Sequence, residues 1–384
     1  MDSPKTAFES AEFQARVARA QTRMRAQGLD ALFLTTEPQI RYLTGFLTRF
    51  WESPTRPWFL IVPASGDPVA VIPSIGAPLM AQSWITDIRT WSAPDYRDDG
   101  VSLLADALVE TGPRIGVPMA METHLRMPLR DWRALQDRLP GTAFVDDEGL
   151  LRDLRMVKSA AEIARIRASC GIADRAFARL PEILAPGVTL AQAFRRFQIL
   201  CLEEGADWVP YLAGGAGRDG YSDVISPASD TPLETGDVVM LDTGLMRDGY
   251  FCDFDRNVCL GTPDPRVARA HGRLIAATYA GFDAARPGAT AADLFHAMAR
   301  ALDDKDGAEA AGRFGHGLGM QLTEPPSLVP DDHTVLEPGM VLTLEPSLFT
   351  GPERLLVHEE NIVIREHGAE WLSTPAPPQI RVLP

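Results

Sequence analysis

The sequence predicts an α/β domain over residues 1–150, followed by an α+β domain over 151–384 made of two similar halves, about 157–262 and 265–365. Three observations lead there. Short apolar runs alternate with helical periodicities through the first part of the chain. In the second part, PGVTLAQAF at 186–194 recurs as PGATAADLF at 287–295, and LETGDVVMLD at 233–242 recurs as LEPGMVLTLE at 336–345. Each matched strand reads as ending in a carboxylate, Asp242 in the first half and Glu345 in the second, and pseudo-symmetric halves place such ends facing one another across a cleft.

Taken in order, residues 9–28 read as an amphipathic helix, because Phe13, Val17, Ala20 and Met24 recur every three or four positions and Gly28 stops it. ALFLTT, WFLIVP, VAVIP and RIGVP read as strands, with helices near SLLADALVET and LRDWRALQDRL. This domain ends around Val145 to Glu148. The next opens on the helix KSAAEIARIRASCGIADRAFARL, where Ile163, Ile166, Cys170 and Ala173 line one face.

Composition narrows the function. With 45% hydrophobic and 23% charged residues the 384-residue chain is built to fold rather than to stay disordered. Lys+Arg 37 against Asp+Glu 52 gives a net charge of -15, which argues against nucleic acid as a partner. Lys5, Lys158 and Lys305 are the only lysines, so positive charge rests on arginine, suited to fixed ion pairs and carboxylate recognition. Cys170, Cys201, Cys252 and Cys259 form no CxxC pair and no disulfide framework. No apolar run approaches a membrane span and the N-terminus lacks a signal-peptide core, so a cytoplasmic protein without a membrane partner is expected.

The chemistry gathers around four acids and an imidazole. LDTGLMRDGYFCDFDRN holds Asp242 and Asp253, spaced for a hairpin that brings the second carboxylate back beside the first. TLEPSLFTGPERLLVHEENIVI holds Glu345 and Glu359, and GHGLGMQLTEPP places His316 between glycines. Converging, these groups carry too much negative charge unless cations balance it. Oxygen ligands with one nitrogen suit Mn²⁺, Co²⁺, Fe²⁺ or Zn²⁺, and bridging carboxylates suit two such ions. Taken singly, any of these acids is more often solvated or capping; the duplicated frame changes the odds.

With GLDALFLTTEPQIRYLTGF in the first domain and DTG…GYFCD, GHGLG, LEP and HEEN in the second, the chain resembles the pita-bread metallopeptidase family of Xaa-Pro aminopeptidases, prolidases and methionine aminopeptidases, with creatinase as a metal-free relative. The resemblance covers nearly the whole chain. It implies a creatinase-like N-terminal domain, a pita-bread catalytic domain, a homodimer, two divalent ions with manganese favoured, and the ligands Asp242, Asp253, His316, Glu345 and Glu359. It also implies that Glu345 is the group that takes and returns a proton.

The departures matter equally. Where the family's peptidases place a histidine ahead of the first aspartate stands Ile225, and where they place one after the GHG histidine stands Thr323, followed by the matching Glu324. In the family those histidines contact the scissile amide, and such a donor is worth about 3–4 kcal/mol of transition-state stabilisation. Asp255 occupies a position usually held by threonine; it reads as an added acid or base beside the ligands, or as a salt-bridge partner of an arginine such as its neighbour Arg256. Glu324 would tune or orient the ligands. YLAGGAGRDGYSD contains a literal GxGxxG, but no helix start follows, so the nucleotide reading fails; Tyr211, Arg218, Asp219 and Tyr221 read instead as a substrate wall. RFWESPTRPW offers Arg49, Trp51, Arg56 and Trp58 for a carboxylate clamp or aromatic cage, since in this branch the N-terminal region reaches the partner subunit's site.

The expected activity is a dinuclear metal-dependent hydrolase acting on an amide or related C–N bond of a small charged molecule or short peptide. Two alternatives stand beside it. One is a metal-dependent lyase catalysing β-elimination on the same fold, and the other is a non-catalytic binding protein.

Overall fold

The computed structural model describes residues 9–53, 57–225, 227–302 and 312–384. The chain divides into two compact units, residues 1–155 and 156–384.

The first unit is built on a six-stranded mixed sheet, ordered Asp87–Trp91, Val69–Pro73, Phe59–Pro63, Ala31–Leu34, Arg114–Val117 and Ala143–Asp146. Its three middle strands pair antiparallel and the outer ones parallel. Ala31–Leu34 and Val69–Pro73 are buried at every position, which is why they appear in the sequence as unbroken apolar runs. Several elements escaped the sequence reading, two of them instructive. Glu37–Thr44 is a helix with proline in its first turn and Gly45 in the left-handed conformation closing it. Asp87–Trp91 is a half-exposed edge strand whose polar composition, DIRTW, hides it.

The second unit bears out the duplication at the level of backbone hydrogen bonds. Its helices Leu190–Glu203 and Ala291–Ala301 both start on a capping box, Thr189 with Gln192 and Thr290 with Asp293. Just ahead of them, Gly187 N–H donates to Leu233 O and Gly288 N–H to Leu336 O. Both glycines have φ +87, a value L side chains rarely adopt. The repeated PG[VA]T segment is thus a turn that fixes a helix start against the loop leading into the following strand.

Each half contributes a sheet. The first is ordered Arg381–Leu383, Phe254–Leu260, Val238–Arg247 and Trp208–Gly217, with Tyr250–Phe251 beside Val238–Arg247. The second is ordered Glu324–Ser327, His316–Gly317, Val341–Leu344, Glu360–Arg365 and Gly368–Trp371. An apolar core joins elements of both halves, including Val238, Met240, Leu274, Phe295, Leu342 and Ile362.

Candidate metal centre

Asp242 lies in the middle of Val238–Arg247, not at its end, because the strand runs on to a turn back into Tyr250–Phe251. Glu345 does follow directly on its strand, Val341–Leu344. Asp242 pairs in register with Asp255 on the neighbouring strand, and Asp253 sits in the connection just before Phe254–Leu260. Asn361 ties that connection to the other half. Its Oδ1 accepts the Asp253 N–H at 3.0 Å, and its Nδ2 donates to the Asp253 carbonyl. Glu359, two residues before Asn361, is thereby held opposite Asp253. Its own N–H donates to Asp255 Oδ1 at 3.1 Å.

His316 is positioned by the glycines around it. A Cβ on Gly315 would sit 2.3 Å from the Thr343 carbonyl oxygen and one on Gly317 would sit 2.2 Å from that of Pro325, so the strand can pass between its neighbours only as Gly-His-Gly. The imidazole Nδ1 lies 2.8 Å from the Gly317 carbonyl oxygen. A carbonyl only accepts, so Nδ1 carries the proton and Nε2 presents a lone pair. Burial, reinforced by the Arg313 charge, lowers the His316 pKa to about 4, so the ring is neutral near pH 7.

That lone pair points at carboxylates. Nε2 is 3.4 Å from Asp253 Oδ2 and 4.0 Å from Glu359 Oε1, and one ligand atom from each of the three residues lies within 4.8 Å of the others. Asp253 Oδ1, Glu359 Oε1 and Asp242 Oδ1 are buried without a hydrogen-bond partner. Burial raises the pKa of Asp242, Asp253 and Glu359 well above the carboxylate range, and their mutual repulsion adds to it. Burial also pushes Glu345 up to about 7, with Arg313 pulling it down and Asp255 pushing it further up. Lone pairs facing lone pairs in a low-dielectric site are what divalent cations would stabilise, so these residues fit a metal site.

A second layer surrounds this cluster. Asp255 does not pair with the side chain of Arg256. Its Oδ1 is 3.3 Å from Nδ1 of buried His358, whose Nε2 is 3.2 Å from Glu360 Oε1. Arg256 instead reaches Glu360 Oε2 at 3.1 Å. Glu324 is held by Lys158 Nζ at 3.1 Å and by the N–H groups of Met320 and Gln321, so it anchors the loop after His316. His358, Asn361 and Lys158 had no role in the sequence reading, although HEEN contained two of them.

The residues predicted to meet substrate separate into groups. Tyr211 lies at the cluster, where burial and the nearby Asp242, Asp253 and Glu359 carboxylates raise the pKa of its hydroxyl. Ile225 is 80% exposed and lines a cavity of about 270 Å³ together with Arg313 and Glu345. Thr323 Oγ1 accepts a hydrogen bond from Arg313 at 3.3 Å. Three others are engaged elsewhere. Arg218 donates to the Thr235 carbonyl, Asp219 pairs with Arg266 at 2.9 Å, and buried Tyr221 bridges Asn257 and Val357 with its hydroxyl. In the first unit, Trp51 is packed against Phe46 and Trp58, with the Arg126 guanidinium over its ring. Trp58 is buried and Arg49 pairs with Glu52, while Arg56 lies outside the described residues.

Known proteins resemble the chain over almost its whole length. The metallopeptidase family M24 matches residues 164–366, and the creatinase/prolidase N-terminal domain matches residues 16–157. The probable dipeptidase PepE of Mycobacterium tuberculosis is 32% identical, over 98% of this chain and 98% of its own. The crystal structure of dipeptidase PepE from Mycobacterium ulcerans, also 32% identical, matches with a TM-score of 0.84 over 98% of this chain and 99% of that one. A prolidase from Thermococcus sibiricus matches at 0.86 with 21% identity, over 97% and 99% of the two chains, and so shares the fold. The chain therefore belongs to metallopeptidase family M24, metal-dependent hydrolases of the Xaa-Pro peptidase type, and combines a creatinase/prolidase N-terminal domain with a pita-bread C-terminal domain.

Proposed function

We propose that the protein is a dinuclear metal hydrolase that cleaves the amide bond of dipeptides or similarly small charged molecules, with Asp242, Asp253, His316, Glu345 and Glu359 as its metal ligands. The observation that supports this most is the unprotonated Nε2 of His316 facing the Asp253 and Glu359 carboxylates, with three buried carboxylate oxygens left unpartnered around it. The donor set of oxygens and one imidazole nitrogen suits manganese first, and iron, cobalt or zinc as well. Bound there, divalent cations would supply a nucleophile at neutral pH and an electrophile for the carbonyl oxygen.

The chain's own residues do the rest. Glu345 is partly exposed and opens onto the cavity, so it is placed to take a proton from water and return it to the leaving nitrogen. Tyr211 lies beside the Asp242 carboxylate, and Asp255 holds the Glu359 backbone from behind. Similarity to a relative named as a dipeptidase supports a dipeptide-sized substrate, and a cavity of about 270 Å³ suits one.

The test is metal content by elemental mass spectrometry on wild type and Asp253→Ala, followed by mass analysis of products from a dipeptide panel with Mn²⁺. Close to two equivalents per chain, lost in the variant, with products heavier than substrate by one water, is the expected result. Products of unchanged summed mass would replace hydrolysis by β-elimination. No turnover alongside saturable binding of a macromolecule would make the protein a binding module. The homodimer and the cytoplasmic location belong to the same reading, and light scattering checks the first.

A further inference from the structure

Arg313 is a guanidinium with no carboxylate at ion-pair distance among the described residues, and its one hydrogen bond to a side chain is the 3.3 Å contact to Thr323. It lines the cavity shared by Glu345 and Ile225, whose other walls include Asp223 and Ser347 as well as Leu348, Phe349 and Val357. Arg313 is half-buried, and no carboxylate among the described residues holds its guanidinium in an ion pair, so its remaining donors are available to a molecule in the cavity. Its placement is specific. Thr323 and Ile225 are the positions from which the two histidines of the resembling peptidases are missing, so Arg313 touches one gap and shares a cavity with the other. The cavity it lines is the one Glu345 opens onto, which puts it on the reacting side of the cluster, and its charge bears on Glu345 and Asp253.

Building on the hydrolase reading, we propose that Arg313 is a catalytic residue: it donates a hydrogen bond to the scissile carbonyl oxygen as that oxygen gains negative charge, in place of the missing imidazoles. In the reaction, the oxygen of water bonds to the carbonyl carbon and the C–N bond breaks. One water proton passes through Glu345 to the leaving nitrogen, and the other stays with the new carboxyl group. Five N–H bonds fan out from the guanidinium and Thr323 occupies one, which fixes the fork while leaving donors for substrate. A donor that strengthens as charge develops acts on kcat more than on KM. The substrate it suits is an amide whose acyl side is small enough for the cavity, with no requirement for proline.

The experiment uses Mn²⁺-loaded full-length protein, a Leu-Ala dipeptide as substrate and its phosphinic isostere, a tetrahedral anion, as inhibitor, with Arg313→Met, Arg313→Lys and wild type compared at equal metal content. Expected are a fall of about 100-fold or more in kcat for Arg313→Met, a similar loss of phosphinate affinity, KM within about threefold, and partial recovery in Arg313→Lys. A rise in KM with kcat unchanged would overturn the proposal and make Arg313 an anchor for the bound substrate. Unchanged kinetics would overturn it as well. A wild type that binds metal but hydrolyses nothing would defeat the hydrolase reading itself, and is told apart because the loss precedes any substitution.

Discussion

Asp255 Oδ1 stands 3.3 Å from His358 Nδ1, with both side chains 1% exposed and directly behind the metal centre. Burial disfavours a charged imidazole here, but Asp255 on one side and Glu360 on the other outweigh it and raise the His358 pKa. Asp255 Oδ2 has no partner, and the Asp255 charge bears on Asp242, Glu345 and Glu359. The carboxylate therefore links two networks, the ligand cluster in front and the His358–Glu360–Arg256 chain behind.

Asp255→Asn should keep the fold and the Glu359 N–H contact while weakening the hold on His358 and removing one charge from the cluster. Metal affinity is expected to fall about 10- to 100-fold, as for other groups that orient ligands. Asp255→Ala should in addition destabilise the second unit by about 3 kcal/mol, because it leaves a buried imidazole short of a partner. Metal titration and thermal unfolding of both variants check this. Affinity unchanged in both would remove Asp255 from the site.

Asn361 joins the halves through a single side chain, accepting from Asp253 N–H and donating to Asp253 O. Asn361→Ala orphans both buried backbone groups, and each costs about 1–3 kcal/mol. The loss should appear as lowered stability together with weaker metal binding, since the Asp253 carboxylate rides on that backbone. Asn361→Asp keeps an acceptor for the N–H but not the donor, adds a charge to an already crowded site, and should be no better than alanine. A stable, fully metallated Asn361→Ala protein would contradict the account.

What the sequence revealed follows from how each feature is encoded. The candidate ligands lie in short local segments, Asp242 and Glu345 in a stretch repeated in the two halves and Asp253, His316 and Glu359 in motifs that resemble those of the family, so they could be nominated from the sequence alone. Partnerships set by register or by long-range packing could not. Lys158 meets Glu324 across 166 residues, and Asp255 finds His358 and not the adjacent Arg256 because neighbouring strand residues point to opposite faces. Trp51 looked available because aromatic residues beside arginines suggest a binding cage, yet its ring is buried among Phe46 and Trp58. Arg313 escaped because nothing local distinguishes a cavity arginine from a surface one.

Gly315 tests the backbone side of the site. It has φ +130, and a Cβ there would lie 2.3 Å from Thr343 O, in the strand that leads to Glu345. Gly315→Ala must either strain the backbone or push that strand away, which costs on the order of 1–3 kcal/mol for the conformation alone. Because His316 and Glu345 hang from the two strands involved, metal retention should fall with stability. Gly351→Ala, whose Cβ would meet nothing within 4 Å, is the control and should behave as wild type. Equal behaviour of the two variants would mean that the Gly-His-Gly passage is not sterically required.

The cluster's charge also sets how stability depends on pH once metal is stripped. Glu345 has its pKa raised from 4.5 to about 7, chiefly by burial, and burial likewise raises Asp242, Asp253 and Glu359 well above their usual values. A carboxyl group with a folded-state pKa above its unfolded value stabilises the fold below the unfolded value, and that contribution is lost as pH rises through the folded one. Chelated protein should therefore lose stability between about pH 4.5 and 7, with a fall of several degrees in Tm. The pairs that depress carboxylate pKa values, such as Glu370 with Arg365, act in the opposite sense, but only at lower pH. Metal binding needs the same carboxylates deprotonated, so Mn²⁺ should raise Tm more at pH 8 than at pH 5.5 and release protons as it binds. Thermal unfolding across this range with and without chelator, and titration calorimetry in two buffers of different ionisation enthalpy, measure both effects. A chelated protein whose Tm is flat from pH 5 to 8, with no proton release on metal addition, would show that these carboxyl groups do not share one buried, cation-demanding site.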